Sequence, residues 1–469
     1  MSKEKQLMKN TAIITIGKVC TQFISFFLLP LYTAIFSTDE YGIVDLFNTI
    51  VACILPIVTL QIEQGLFRFL IDTRDDDNGK TKLITSTAIL FVFQTLIYIG
   101  LYSIIQNYIN SDYKHFLLLN VIANMSSGLM LQLARGLGKN KEYSIGSFIV
   151  AGFTVILNVL LIVVLKFRVE GMFLSIFIAN MLASIYLFFA CKTYKYIKRT
   201  GFRFSAIKTM LKYSIALIPN AISWWIINVS DRAIISSLLS IGANGIYAAA
   251  NKFSGVYINA YNIFNIAWTE SAAVNIDSED RDKYFTNIIN TGFQVFGSVA
   301  LLVIALTPFI FPLIINAKFG EAYNQIPLLM LASLFNVGVG LVSVIYVAKK
   351  RSLDISKTSF LSAVINVVVN ILLIKHIGLY AASISTIVSY LVMFIYRAVD
   401  CKKYVDFKMD VRMLIKLAIM FVLTFAAFYI NNIVINILML VGVLAFTVIY
   451  NKNGFKKIIQ IIKNRKSKA

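Results

Sequence analysis

The sequence predicts an all-α polytopic membrane protein of about 14 transmembrane helices, and three observations carry that expectation. Of 469 residues, 58% are hydrophobic and 14% charged, and the mean hydropathy is +0.76. A soluble domain runs nearer about 45–50% apolar and about 25% charged. Apolar stretches long enough to span a bilayer, at about 20 residues each, recur fourteen times and leave only short connections between them. Lys and Arg, finally, fall on alternate connections.

The stretches follow in chain order. Thr11–Phe36 is too long for a signal-peptide core, and no small-residue cleavage site follows it, so it stays as the first helix. Tyr41–Leu70, Leu83–Gln106, His115–Leu133, Ser144–Leu165 and Gly171–Ala190 complete a first group of six. Tyr213–Leu239, Ile246–Ala272, Tyr284–Phe309, Ile326–Ala348, Thr358–Ile374 and Leu379–Tyr396 form a second six. Met413–Ile430 and Ile433–Tyr450 close the chain as a pair. Pro308 and Pro312 are expected to break any helix drawn through the end of the ninth stretch.

With the N-terminus placed in the cytoplasm, 35 of the 44 Lys and Arg fall on the inside segments, Lys416 in the first turn of the thirteenth stretch counted with them. Five (Lys114, Lys166, Arg168, Lys318 and Lys375) fall outside, and four lie within spans. Such asymmetry is the positive-inside pattern, with an even number of helices and both termini cytoplasmic. The net charge of +21 therefore reports membrane orientation and not a nucleic-acid partner. The longest inside connection, Cys191 to Lys212, carries seven cations and reads as an anchor on the anionic cytoplasmic leaflet. None of the four cysteines falls in an outside loop, so no disulfide is expected.

The two groups of six repeat each other. Lys9 and Gly42 match Lys212 and Gly245 at an offset of 203. Ser147-Phe148…Asn158-Val-Leu-Leu-Ile matches Ser359-Phe360…Asn370-Ile-Leu-Leu-Ile at 212, and Gly171-Met-Phe matches Gly378-Leu-Tyr at 207. Halves with an even number of helices share one orientation, so the repeat is parallel, its axis along the membrane normal. The expected organisation is an N-terminal six-helix lobe over 1–192 and a basic cytoplasmic linker over 193–212. A C-terminal six-helix lobe over 213–400 follows, with a terminal helix pair and basic tail over 401–469.

A charge at the centre of a spanning helix costs on the order of 3 kcal/mol even on the lenient insertion scale. The four intramembrane cations Lys18, Arg68, Arg232 and Lys252 must therefore face protein, water or a ligand. Asn220, Trp224, Asn228 and Asp231 recur at spacings of four, four and three, one face of the seventh helix. The eighth is dotted with Asn251, Lys252, Tyr257, Tyr261 and Glu270, and the second carries Asp45, Glu63 and Arg68. Spans one, two, seven and eight are thus expected to line a central polar cavity between the lobes. Plainer alternatives exist: an orienting Asp231–Arg232 pair, snorkelling of Arg68 and Glu270, and ordinary packing of Trp224. The segment Arg74-Asp-Asp-Asp-Asn-Gly-Lys-Thr81 lacks the first glycine of a phosphate-binding loop. With two histidines in the chain there is no metal cluster and no cofactor, and an enzyme is not expected.

The segments Pro30-Leu-Tyr…Tyr41-Gly, Gly65-Leu-Phe-Arg68-Phe, Pro219…Trp224…Asp231-Arg232, Gly245-Ile-Tyr and the twin Asn…Leu-Leu-Ile…Gly stretches resemble the Wzx-type bacterial polysaccharide repeat-unit flippases. That resemblance covers nearly the whole chain. It implies the V-shaped fold of the multidrug/oligosaccharidyl-lipid/polysaccharide exporter superfamily, working by alternating access in the bacterial inner membrane. It further implies a cationic cavity that receives an undecaprenyl-diphosphate-linked oligosaccharide, onto which Lys18, Arg68, Arg232 and Lys252 map. Membrane lipids, a polysaccharide polymerase and chain-length proteins are the implied partners. Asn220, Asn228 and Asn251 suit sugar hydroxyls, and Trp224, Tyr257 and Tyr261 suit sugar stacking. Asp45, Glu63, Asp231 and Glu270 are the acids able to couple H⁺ or Na⁺. Lipid II flippases and multidrug cation antiporters of the same superfamily are the alternatives, and a membrane glycosyltransferase is the enzyme-class one.

Overall fold

A computed structural model describes residues 26–109, 111–349 and 351–452. Lys18 and most of the first expected span lie outside the described residues, as do the side chains of Asn220, Trp224 and Asn228. The first half of the chain holds α1 (Leu29–Ile35), α2 (Thr38–Val58), α3 (Ile62–Asp72), α4 (Asp77–Ile105), α5 (Lys114–Gly136), α6 (Asn140–Asn158) and α7 (Arg168–Ala190). Next come α8 (Phe204–Ile215), α9 (Ile218–Leu238), α10 (Ile241–Asn275), α11 (Arg281–Ile314) and α12 (Ala322–Ala348). α13 (Ser352–Ile377), α14 (Tyr380–Asp400), α15 (Val411–Ile430) and α16 (Ile433–Tyr450) complete the order. Eleven of the described helices are long and apolar enough to cross a membrane. α9 and α10 have the length but carry the polar residues of the seventh and eighth stretches.

Three expectations need correction. The second stretch is not one helix: it breaks at Thr59–Gln61 into α2 and α3. The seventh is interrupted at Ala216–Leu217, so its first residues belong to α8. The ninth is not broken by its prolines, because α11 continues through Pro308 and Pro312 to Ile314. Membrane helices tolerate interior proline where the surrounding protein accommodates it; the Thr307 hydroxyl, one residue before Pro308, donates to the Val303 carbonyl at 2.7 Å.

The chain divides into two compact units, Met1–Ala233 and Ile234–Ala469. In the first, α2, α4, α5 and α7 close around Val44, Phe47, Val121 and Phe173, with the Phe47 and Phe173 rings 5.0 Å apart. A second core joins Ile62, Leu66 and Leu70 of α3 to Leu133, Leu187 and Met210. The basic connections gather at one end of this unit. Arg74 donates to the carbonyls of Gly136 and Arg135 at 2.9 and 3.1 Å, and Lys139 donates to those of Ala190 and Cys191 at 3.2 and 3.0 Å. The segment 193–212 is stapled to α4: the Thr85 and Ser86 hydroxyls donate to the carbonyls of Tyr196 and Arg203. They also accept from the backbone N–H of Lys198 and Arg203.

In the second unit α12 is the most enclosed spanning helix, packed on α10, α11 and α14. The terminal pair lies on α11, where Gln294 donates to the Tyr450 carbonyl and Asn451 to the Ser298 hydroxyl. Its basic end is laced by short pairs. Lys349 lies 2.7 Å from Asp277 and holds that exposed carboxyl below its usual range.

Among the described residues the deepest charge is Arg397, 2% exposed near the end of α14. Its guanidinium donates to the hydroxyls of Thr358, Ser343 and Ser359 and to the Ile355 carbonyl at 2.6–3.0 Å, tying α12, α13 and α14 together. Among the described residues no carboxylate faces it, so neutral acceptors carry its desolvation. Removing it strands four acceptors, each costing about 1–3 kcal/mol when buried and unmade. Arg397→Ala is predicted to lower the unfolding temperature in detergent by several degrees, and Arg397→Lys, with three donors for four acceptors, by less. Thermal unfolding of the purified variants reads this, and an unchanged midpoint for Arg397→Ala contradicts it.

Candidate functional site

The break in the second stretch is the most distinctive local feature of the first unit. α2 starts on a capping box, in which Ser37 accepts from the Glu40 N–H at 3.1 Å and Glu40 accepts from the Ser37 N–H at 2.7 Å. Glu40 also takes a bidentate pair from Arg168, fixing the start of α2 to α7. The helix then runs through Pro56 to Val58 and stops. Leu60 and Gln61 adopt φ of 50° and 51°, a left-handed conformation that costs about 1–2 kcal/mol per non-glycine residue.

Three hydrogen bonds stabilise the interruption. The Gln94 side-chain amide donates to the Thr59 carbonyl at 2.8 Å, and the Gln61 N–H donates to the Thr59 hydroxyl at 3.0 Å. The Gln61 side chain donates to the Leu217 carbonyl at 3.3 Å, in the turn that separates α8 from α9. The two interrupted stretches thus meet at their interruptions. α3 and α8 continue in close contact because residue 65 is glycine: a Cβ there would lie 2.5 Å from the Ser214 hydroxyl.

Beside the break is a cavity of about 340 Å³ lined by Pro56, Thr59, Glu63, Asn124, Gly128 and Ala221, among others. A Cβ on Gly128 would meet nothing within 4 Å, so the α5 wall is open there. Glu63 sits in the first turn of α3, where the helix N-terminus favours negative charge. Non-helical backbone at membrane depth is tolerated where it lines such a space, and broken helices mark the binding sites of many transporters.

The predicted site residues divide as follows. Arg232 donates to Asp45 at 2.6 Å, both side chains largely enclosed. Arg232 thus pairs with Asp45 on α2, and Asp231, its neighbour in sequence, is buried. Arg68 lies on the exposed side of α3, its guanidinium 2.8 Å from both oxygens of Asp72, the geometry of a surface ion pair. Asp45 and Glu63 belong to the same broken stretch, but Glu63 lines the cavity and Asp45 does not.

In the second unit Asn251 and Lys252 are half-buried on α10, and Glu270 is exposed near its end. Asn251 donates to the Tyr247 carbonyl and accepts from Ser254. Tyr257 and Tyr261 do not offer open ring faces. Both are buried, packed edge-on against Phe296 at 6.1 and 5.2 Å, with hydroxyls donated to the Phe296 carbonyl and to Asn265. Their aromatic bulk is used in helix packing.

Residues outside the sequence-level selection prove central. Gln94 and Asn124 support and line the break, and Arg135 and Arg397 are held by protein groups at the basic ends. The break had a signal in length: thirty residues from Tyr41 to Leu70 make about 45 Å of helix, more than a bilayer needs. Arg135 and Arg397 were counted with the loops because they close helices, and only packing shows what their guanidinium groups touch.

No curated protein sequence matches the chain. Among solved structures it is similar to an inward-facing multidrug-resistance MATE transporter of the MOP superfamily, with TM-score 0.64 and 12% identity over 83% of this chain and 98% of that one. It is also similar to a MATE transporter in complex with MaL6, with TM-score 0.59 and 13% identity over 84% and 96%, and to an outward-facing MATE of the same superfamily, with TM-score 0.56 and 12% identity. At such identities these likenesses establish the fold, that of a membrane transporter. The sequence profile described as "Polysaccharide biosynthesis protein" matches residues 7–269. That is more than half of the chain, and the chain belongs to this polysaccharide biosynthesis family.

Proposed function

We propose that the protein is a flippase that moves an undecaprenyl-diphosphate-linked oligosaccharide from the cytoplasmic to the outer leaflet by alternating access, for surface polysaccharide assembly. The observation that carries this reading is the joint one: a polysaccharide biosynthesis family match on the fold of a membrane transporter. A sugar head bearing two phosphates cannot cross hydrocarbon unaided, since a buried unpaired charge costs several kcal/mol. What such a pathway needs from a transporter fold is the transfer of that head, with the polyprenyl tail left in lipid. The alternation of basic segments supports cytoplasmic termini in the bacterial inner membrane.

Five of the charges have a place in this scheme. Lys18 and Lys252 are the cations assigned to the diphosphate. Arg232 is already held by Asp45 and serves to position the first unit's helices. Glu63, at the helix break and lining the cavity, is the acid assigned to proton coupling. Protonation there removes a charge next to the left-handed turn and biases the break between two arrangements.

Purified protein in liposomes, given a fluorescent undecaprenyl-diphosphate oligosaccharide, is predicted to expose the head to an enzyme acting on the opposite leaflet. Lys18→Ala or Lys252→Ala should abolish that transfer with membrane insertion intact, and Lys→Arg should retain more of it. Normal transfer by both alanine variants contradicts a cationic head site. Glu63→Gln is expected to remove the dependence of the rate on a pH gradient while substrate still binds. An unchanged gradient dependence excludes Glu63 as the coupling group.

A further inference from the structure

Two residues that line the cavity at the helix break, Asn124 and Gly128, lie on a face of α5 that runs to the basic end of the first unit. On α5, Asn124, Gly128, Gln132 and Arg135 follow at spacings of four, four and three, one side of the helix. α3 packs along α5, and α6 closes the far side. From Gly128 to Arg135 this face covers about 10 Å.

The Arg135 guanidinium is held over the Phe67 ring of α3 at 4.5 Å and the Tyr143 ring of α6 at 5.6 Å. One of its N–H groups donates to the Gln132 side chain at 3.0 Å. Among the described residues no carboxylate pairs with it and its other donors have no hydrogen-bond partner, in contrast to Arg68 and Arg232. Nor is it used to cap its own helix. The carbonyls of Arg135 and Gly136 that end α5 are already taken by Arg74.

A guanidinium stacked between two rings loses little further rotamer freedom on binding and keeps its planar fork of donors, the geometry that matches a phosphate. We infer that Arg135 is a phosphate-recognition residue, placed to take the diphosphate of the lipid-linked head at the basic end of the first unit before the head reaches the cavity at the helix break. This inference rests on the flippase reading and adds to it a residue and a point of entry.

The test is binding of undecaprenyl diphosphate, undecaprenol and inorganic pyrophosphate to the full chain in detergent, read by native mass spectrometry. Wild type should prefer undecaprenyl diphosphate over undecaprenol. Arg135→Gln should weaken the diphosphate lipid at least tenfold and leave undecaprenol unchanged. Arg135→Lys, which keeps the charge but loses the fork, should weaken it a few-fold, and it carries the test alone if Arg135→Gln does not fold. Arg412→Gln, an exposed cation in the second unit, should bind as wild type does.

Diphosphate-lipid binding by Arg135→Gln equal to wild type overturns the assignment of Arg135 and leaves the flippase reading standing. So does an equal loss for undecaprenol, which marks a structural role. Arg135-dependent binding of pyrophosphate, with none of the lipid, overturns the lipid-linked source. A wild-type chain indifferent to the diphosphate overturns the flippase reading itself.

Discussion

Everything distinctive about the first unit depends on one constraint: backbone groups freed inside a membrane must find partners within the protein. A helix that stops at Val58 and resumes at Ile62 leaves carbonyls and N–H groups without their intrahelical partners. The chain meets this with Gln94 on the Thr59 carbonyl and with Gln61 reaching the Leu217 carbonyl in a second interruption. One break thereby stabilises the other. Glu63, Asn124 and the open side of Gly128 are arranged around the point where they meet. A regular helix would present none of them this way.

The same economy governs charge. Arg232 is matched by Asp45, Arg68 by Asp72 and Arg168 by Glu40. Arg397 is satisfied by three hydroxyls and a carbonyl. Arg135 differs in being oriented by aromatic faces, which fix a guanidinium without consuming its donors. A transporter for an anionic head needs cations that are held in place and still have donors to offer. Pairing with carboxylates gives the first of these at the expense of the second.

Much of the fold was legible in sequence because the bilayer imposes length and polarity on each element. The last two predicted stretches, Met413–Ile430 and Ile433–Tyr450, correspond to α15 and α16 nearly residue for residue. Basic connections predicted to share a side do gather at one end within each unit. Thr59–Gln61 contains neither glycine nor proline, so turn chemistry gave no warning, and side-chain amides far away in sequence sustain the break. The prolines of α11 misled because a packed membrane helix tolerates interior proline that would break a helix in water. Among the site residues, Glu63 was visible as an acid in an apolar stretch. The partners of Arg232 and Arg68 were not, because pairing across helices is set by packing.

The central proposal is that the cavity at the helix break handles the polar head. Its most direct measurement is thiol labelling of Gly128→Cys in a background without the native cysteines, using a membrane-impermeant maleimide. The account requires that the thiol be labelled and that undecaprenyl-diphosphate oligosaccharide protect it. A thiol that stays unreactive, or one whose labelling the lipid-linked oligosaccharide leaves unaltered, contradicts it.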